Sequence, residues 1–208
     1  MALDTIINAF ATLFVVIDPI GLTPIFLALT AGMDPAHRRS IALRGCAIAA
    51  VLLALFGFVG FQLLDSLGIS MAAFRIAGGL LLFLIAIEML FERRTKRREE
   101  NNQNPPDDPS VFPLALPMIA GPGALATMVL LTTGEDKTLG EVMIVQLVML
   151  CVMALVLALF SLANPIERLL GRTGTLVVTR LLGMLLAALA VQFVVDGLVS
   201  SEIFARIS

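Results

Sequence analysis

The chain has 208 residues, 59% of them apolar and only 14% charged, with a formal net charge of -2 and a mean hydropathy of +0.99. Soluble domains run near half apolar and a quarter charged, so this composition excludes an ordinary soluble protein and predicts an integral membrane protein in a lipid bilayer. One histidine, His37 in what reads as a basic loop, and two cysteines leave too little for a His-based metal site or a catalytic triad, so no enzyme, cofactor or nucleic-acid partner is expected.

The start, Met1-Ala2-Leu3-Asp4, lacks the basic opening of a signal peptide, so the first apolar run is expected to be retained as a helix. That run, residues 5–31, is long enough to cross a membrane. Its centre reads Ile17-Asp18-Pro19-Ile20-Gly21-Leu22-Thr23-Pro24. Proline removes a backbone donor and clashes with the preceding turn, so a plain helix cannot pass. In lipid the freed groups are tolerated only where protein or a water-lined cavity satisfies them. The stretch predicts a discontinuous helix, restarting with Thr23 as cap and Pro24 at the first helical position.

Further spans are predicted at residues 40–64, 69–91, 111–133, 142–162 and 175–199. The fourth is broken as the first is, by Pro117-Met118-Ile119-Ala120-Gly121-Pro122-Gly123, with Gly121 as cap and Pro122 restarting the helix. Cys46 and Cys151 fall inside apolar helices and read as small buried residues. The glycines of Gly57-Phe58-Val59-Gly60 and of Gly78-Gly79 read as close helix packing.

Residues 92–110 form a basic and polar linker between a first unit, 1–91, and a second, 111–208. Of the 14 Lys and Arg residues, Arg38, Arg39, Arg44, Arg168, Arg172, Arg180 and the linker cations fall on one side, against Arg75, Lys137 and Arg206 on the other. The bias assigns the first side to the cytoplasm and both termini to the outside. Three spans per half force opposite topologies. Arg75-Ile76-Ala77-Gly78 resembles Arg180-Leu181-Leu182-Gly183, and the proline pairs 19/24 and 117/122 repeat. The fold class expected is therefore all-α and polytopic, six transmembrane helices in two inverted three-helix repeats, with helices one and four broken.

Interrupted spans at matching positions point to a secondary transporter's binding site. The N–H groups of restarted helices carry partial positive charge and suit a carboxylate. The carbonyls ending the first half-helices suit an ammonium group. A small zwitterion fits both, held by Asp18, Gly21, Thr23, Pro24, Gly121, Pro122 and Gly123, the glycines admitting close approach. Asp18 is the one acid near the centre of any span; it either contacts the ammonium, carries a coupling proton or sodium ion, or caps local N–H groups. Arg75 and Arg180, about one and a half turns inside their spans, either snorkel or gate. Asn8, Thr12, Thr127 and Gln192 line a polar path or bond between helices.

The segment from Asn8-Ala9-Phe10 through Asp18-Pro19-Ile20-Gly21 to Pro24-Ile25-Phe26, together with Pro117–Ala124, Arg75–Gly79 and Gln192–Gly197, resembles the MarC family of six-span bacterial and archaeal membrane proteins. The resemblance covers essentially the whole chain. Through its SnatA branch it implies inner-membrane transport of small neutral amino acids such as glycine and alanine. A passive channel of the same fold, or a non-transporting scaffold or regulator acting through the linker, are the alternatives. Substrate identity, direction, coupling ion and oligomeric state do not follow from the residues.

Overall fold

The computed structural model describes residues 2–91, 108–133 and 138–201. The linker cations at 93–98, together with Lys137 and Arg206, lie outside the described residues. Those described form helices and no strand: α1 (Ala2–Ile17), α2 (Pro19–Leu29), α3 (Pro35–Ser66), α4 (Met71–Leu90), α5 (Ser110–Ile119), α6 (Pro122–Thr132), α7 (Leu139–Ser161) and α8 (Ala163–Val199). Five stretches are long and apolar enough to cross a bilayer: Leu3–Leu29, Pro35–Ser66, Met71–Leu90, Leu139–Ser161 and Thr173–Val199. The pair α5 and α6, bent by 55° at its break, passes the same test taken together and makes a sixth if the pair crosses as one span.

Capping chemistry sets the helix ends, which overrun the apolar stretches. Asp34 accepts from the N–H groups of Ala36 and His37, both at 3.0 Å, and Pro35 suits the first helical position. α3 therefore starts five residues before the apolar run, and His37 belongs to its first turn, not to a loop. Thr138 and Glu141 close α7 with a reciprocal capping box. α8 begins at Ala163, well before the predicted 175, and turns at Gly171, whose φ of 60° suits glycine.

Small residues decide how the spans meet. A methyl added at Gly79 would stand 2.7 Å from the Ala190 carbonyl; one at Gly183, 3.0 Å from Met89; one at Gly197, 3.0 Å from the Ala72 carbonyl. Residue numbers fall along α4 as they rise along α8, so the two run antiparallel with backbones in close approach, as glycine interfaces allow in membranes. Gly57 of α3 faces Gln146 and Met128, and Gly60 faces Val129. The packing role expected of these glycines holds.

The first span and α6 are innermost. The Leu3–Leu29 span is 72% buried inside the protein, against 22–39% for the other four continuous spans. In α6 the run Ala126–Thr132 is wholly buried. The irregular backbone of the first break, Ile17 and Asp18, is thus enclosed by protein, as the bilayer requires, whereas Phe112 and Leu116 of the second are 63% and 36% exposed. Cys46 is buried, but Cys151 is exposed, contrary to expectation. It shares the outer face of α7 with Leu147 and Leu150, 59% and 50% exposed. A lipid-facing position is as apolar as a core one, so hydropathy does not separate the two.

Candidate functional site

Pro19 has no N–H for the Val15 carbonyl, and it disfavours a helical residue before it, so α1 stops at Ile17. Asp18 makes the turn in the left-handed region, φ 54° and ψ 64°, which aspartate tolerates better than most residues. Its N–H still bonds the Phe14 carbonyl and its own carbonyl accepts from Leu22 N–H, both at 3.0 Å. One residue therefore carries the chain from helix to helix. The Asp18 carboxylate accepts from Gly21 N–H at 3.0 Å, and Asp18 is only 1% exposed.

The restart lies at Pro19, not at the expected Pro24. Asp18 is the better cap and Pro19 already occupies the first helical position. Thr23 and Pro24 lie inside α2. Thr23 caps nothing; its hydroxyl donates to the Pro19 carbonyl at 2.9 Å. Prolines 19 and 24 each take the intrahelical donor from the carbonyl four residues back, at Val15 and Ile20. With the carboxylate between them, the first break gathers hydrogen-bond acceptors.

The second break has the opposite character. Phe112 and Leu116, each before a proline, are extended inside α5. The chain then turns at Ala120, and Gly121 precedes Pro122 in extended geometry with no side-chain cap. The predicted cap and restart hold here. The first N–H groups of α6 thus meet no capping side chain and carry the positive end of the helix dipole. A methyl at Gly123 would collide with Ile85 and stand 3.7 Å from Val16. The start of α6 therefore packs near Val16 of α1, two residues before Asp18.

In this conformation protein atoms occupy the room the glycines make. A methyl at Gly21 would collide with the Asp18 carboxylate and stand 2.9 Å from the Thr179 hydroxyl; one at Gly121 would stand 2.5 Å from the Pro117 carbonyl. Thr127 is fully buried and its hydroxyl has no hydrogen-bond partner. Asn8 is exposed and accepts from Thr12 along α1 at 3.2 Å. Gln192 donates to Asp196 along α8 at 2.7 Å; both pairs stay within one helix. Arg75 is half-buried one turn inside α4, and Arg180 is exposed.

Two residues escaped the sequence reading. Thr179 of α8, 6% exposed, faces the Gly21–Asp18 turn. Its signal was the spacing Thr175, Thr179, Gly183, one face of a helix. Gln146 of α7 donates to the Ala54 carbonyl at 3.2 Å, while its own amide oxygen is buried without a partner. A lone amide in an apolar run carries no motif.

A family model described as MarC family integral membrane protein matches residues 3–201. The chain is 39% identical over 197 residues to a UPF0056 membrane protein of Archaeoglobus fulgidus, covering 91% of this chain and 90% of the relative. It is 34% identical over 196 residues to the UPF0056 inner membrane protein YhgN of Escherichia coli, covering 94% and 97%. It is 35% identical over 203 residues to the UPF0056 membrane protein YvbG of Bacillus subtilis, covering 95% and 96%. No solved structure matches.

Proposed function

The chain belongs to the MarC family of integral membrane proteins, and on that premise we propose that it is a secondary transporter of small neutral amino acids working by alternating access. The observation that carries this reading is the contrast between the two breaks, a buried carboxylate at one and an uncapped helix start at the other. The buried Asp18 carboxylate, with the carbonyls of Val15 and Ile20, favours an ammonium group. The uncapped start of α6 favours a carboxylate. Because α2 is already closed by its own Asp18, the substrate carboxylate belongs to α6 alone, through Gly121, Pro122 and Gly123.

The halves α1–α4 and α5–α8 are two inverted repeats on either side of the linker. In support, α1 packs on α7 as α5 packs on α3, α2 on α8 as α6 on α4, and α4 pairs with α8. Alternating access then rocks one repeat against the other about the breaks. Asp18 is the residue for a coupling proton or sodium ion, since an intramembrane carboxylate is costly and is kept for such work. The protein sits in the cytoplasmic membrane with both termini outside, the side the basic bias gives them. Thr127 in α6 and Thr179, beside the first break, support the site; Arg75 lies one turn inside α4, and Arg180, next to Thr179, is exposed on α8.

A passive channel of the same fold would need water at Asp18 in its open state, and the 1% exposure of that residue favours a closed site. The test is uptake by purified protein in liposomes. Labelled glycine or alanine should accumulate above the bath concentration under a proton or sodium gradient. Equilibration without accumulation would favour the channel.

A further inference from the structure

At the membrane face where α2 and α7 end and α3 and α8 begin lies a cavity of about 260 Å³. Its floor is apolar. Phe26 of α2 and Phe160 of α7 stack there with ring centroids 4.3 Å apart and planes 9° from parallel. Its walls carry Arg38 and Arg39 from the first turns of α3, with Ser161 and Asn164 from the α7–α8 junction. Among the described residues no carboxylate lines it.

Arg38 is held but not satisfied. One terminal nitrogen donates to the Thr30 carbonyl at 3.3 Å, which fixes the guanidinium, while its Nε is buried without a hydrogen-bond partner. A buried donor left unpaired is costly, and a guanidinium fork suits an oxyanion best. The nearest acid in sequence, Asp34, is otherwise engaged. The His37 backbone N–H, and then that of Ala36, hold its carboxyl below the usual range. The Ser161 hydroxyl is also committed, donating to the Leu157 carbonyl at 2.8 Å.

The surroundings separate a lipid from a soluble anion. Asn164 also borders a shallow groove with Arg168 and Leu169, and Leu169 is 85% exposed. Cation and bare apolar side chain thus stand side by side where the spans end, at headgroup depth. Basic pockets between helices on the positively charged face are where anionic headgroups bind.

We infer that Arg38 and Arg39 form a binding site for the phosphate of an anionic phospholipid, with Asn164 and Arg168 at its rim and the acyl chains running down the outer faces of the spans. The site ties the end of α2, the broken span, to α3, α7 and α8 through one headgroup.

The experiment is native mass spectrometry of the full chain, delipidated in detergent and titrated with phosphatidylglycerol, phosphatidylcholine or inorganic phosphate. Wild type should take phosphatidylglycerol roughly tenfold more tightly than phosphatidylcholine, the scale expected of a charge-assisted fork. Arg39→Gln and Asn164→Asp, both at exposed positions, should remove most of that preference. Arg38→Lys, which keeps the charge but loses the Nε donor, should weaken it. His37→Gln, exposed and one residue away, should leave it intact. Equal binding of the two lipids, or wild-type preference in Arg39→Gln and Asn164→Asp together, would overturn the site. Displacement of bound lipid by millimolar inorganic phosphate would overturn the lipid and point to a soluble oxyanion instead.

Discussion

The carboxylate of Asp18 accepts a hydrogen bond from the backbone N–H of Gly21 at 3.0 Å, so α2 is capped by the very side chain proposed to meet the substrate. Cap and charge can be separated by substitution. Asparagine caps about as well as aspartate, whereas alanine costs about 1 kcal/mol. Asp18→Asn should therefore fold with near wild-type thermal stability and lose most gradient-driven uptake. Asp18→Ala should lose both. Wild-type uptake in Asp18→Asn would reduce Asp18 to a cap.

The same turn explains why residue 21 is glycine. A methyl there collides with the Asp18 carboxylate and crowds the Thr179 hydroxyl. Gly21→Ala should destabilise by roughly 1–3 kcal/mol, the usual range for overpacking. Thr179→Ala in the same chain should recover part of the loss. Thermal melts of the single and double variants in detergent test this; additive effects would mean that Thr179 does not crowd the turn.

Gly57 is a packing residue with no part in the proposed site. A methyl there meets Met128 at 2.8 Å and collides with the Gln146 amide. Gly57→Ala should lower stability by about 1–3 kcal/mol while leaving the apparent affinity for alanine within about twofold, since it touches no group proposed to meet substrate. A large change in affinity without loss of stability would place Gly57 in the substrate path.

Orientation rests on the basic bias, to which the structure adds one marker. Arg44 of α3 pairs with Asp108 at 2.8 Å, which puts the end of the linker at the level of the arginine-rich start of α3. In a background with Cys46 and Cys151 replaced by alanine, a cysteine at His37 should be protected from an impermeant thiol reagent in intact spheroplasts. One at Ser200 should react. Reversed labelling would invert the topology.

Much of this architecture is legible in the residues. The apolar runs locate the spans, and Gly121-Pro122 locates the restart of α6, because no other residue nearby combines a free cap with a proline. In the first break two prolines compete, and the pattern points to the wrong one, Pro24. Asp18 chooses, by tolerating the left-handed turn and capping α2, which moves the restart five residues earlier. The helix before Gly171 was missed because it is short and polar, and the exposure of Cys151 because lipid and core favour the same residues. Thr179 and Gln146 are single polar side chains whose importance comes only from the helix opposite. The role expected of Pro24 changes sign: it exposes a carbonyl within α2 instead of opening a positive helix end.

In the proposed mechanism one site reads both ends of a zwitterion, the ammonium at Asp18 and the carboxylate at the start of α6. Competition against labelled alanine uptake in proteoliposomes tests it most directly. Unlabelled alanine and glycine should inhibit, while alaninamide, which lacks the carboxylate, and propionate, which lacks the amine, should not. Glutamate and lysine should also fail, because an unpaired charge is costly to bury at this depth. Inhibition by alaninamide or propionate as strong as by alanine would contradict the account.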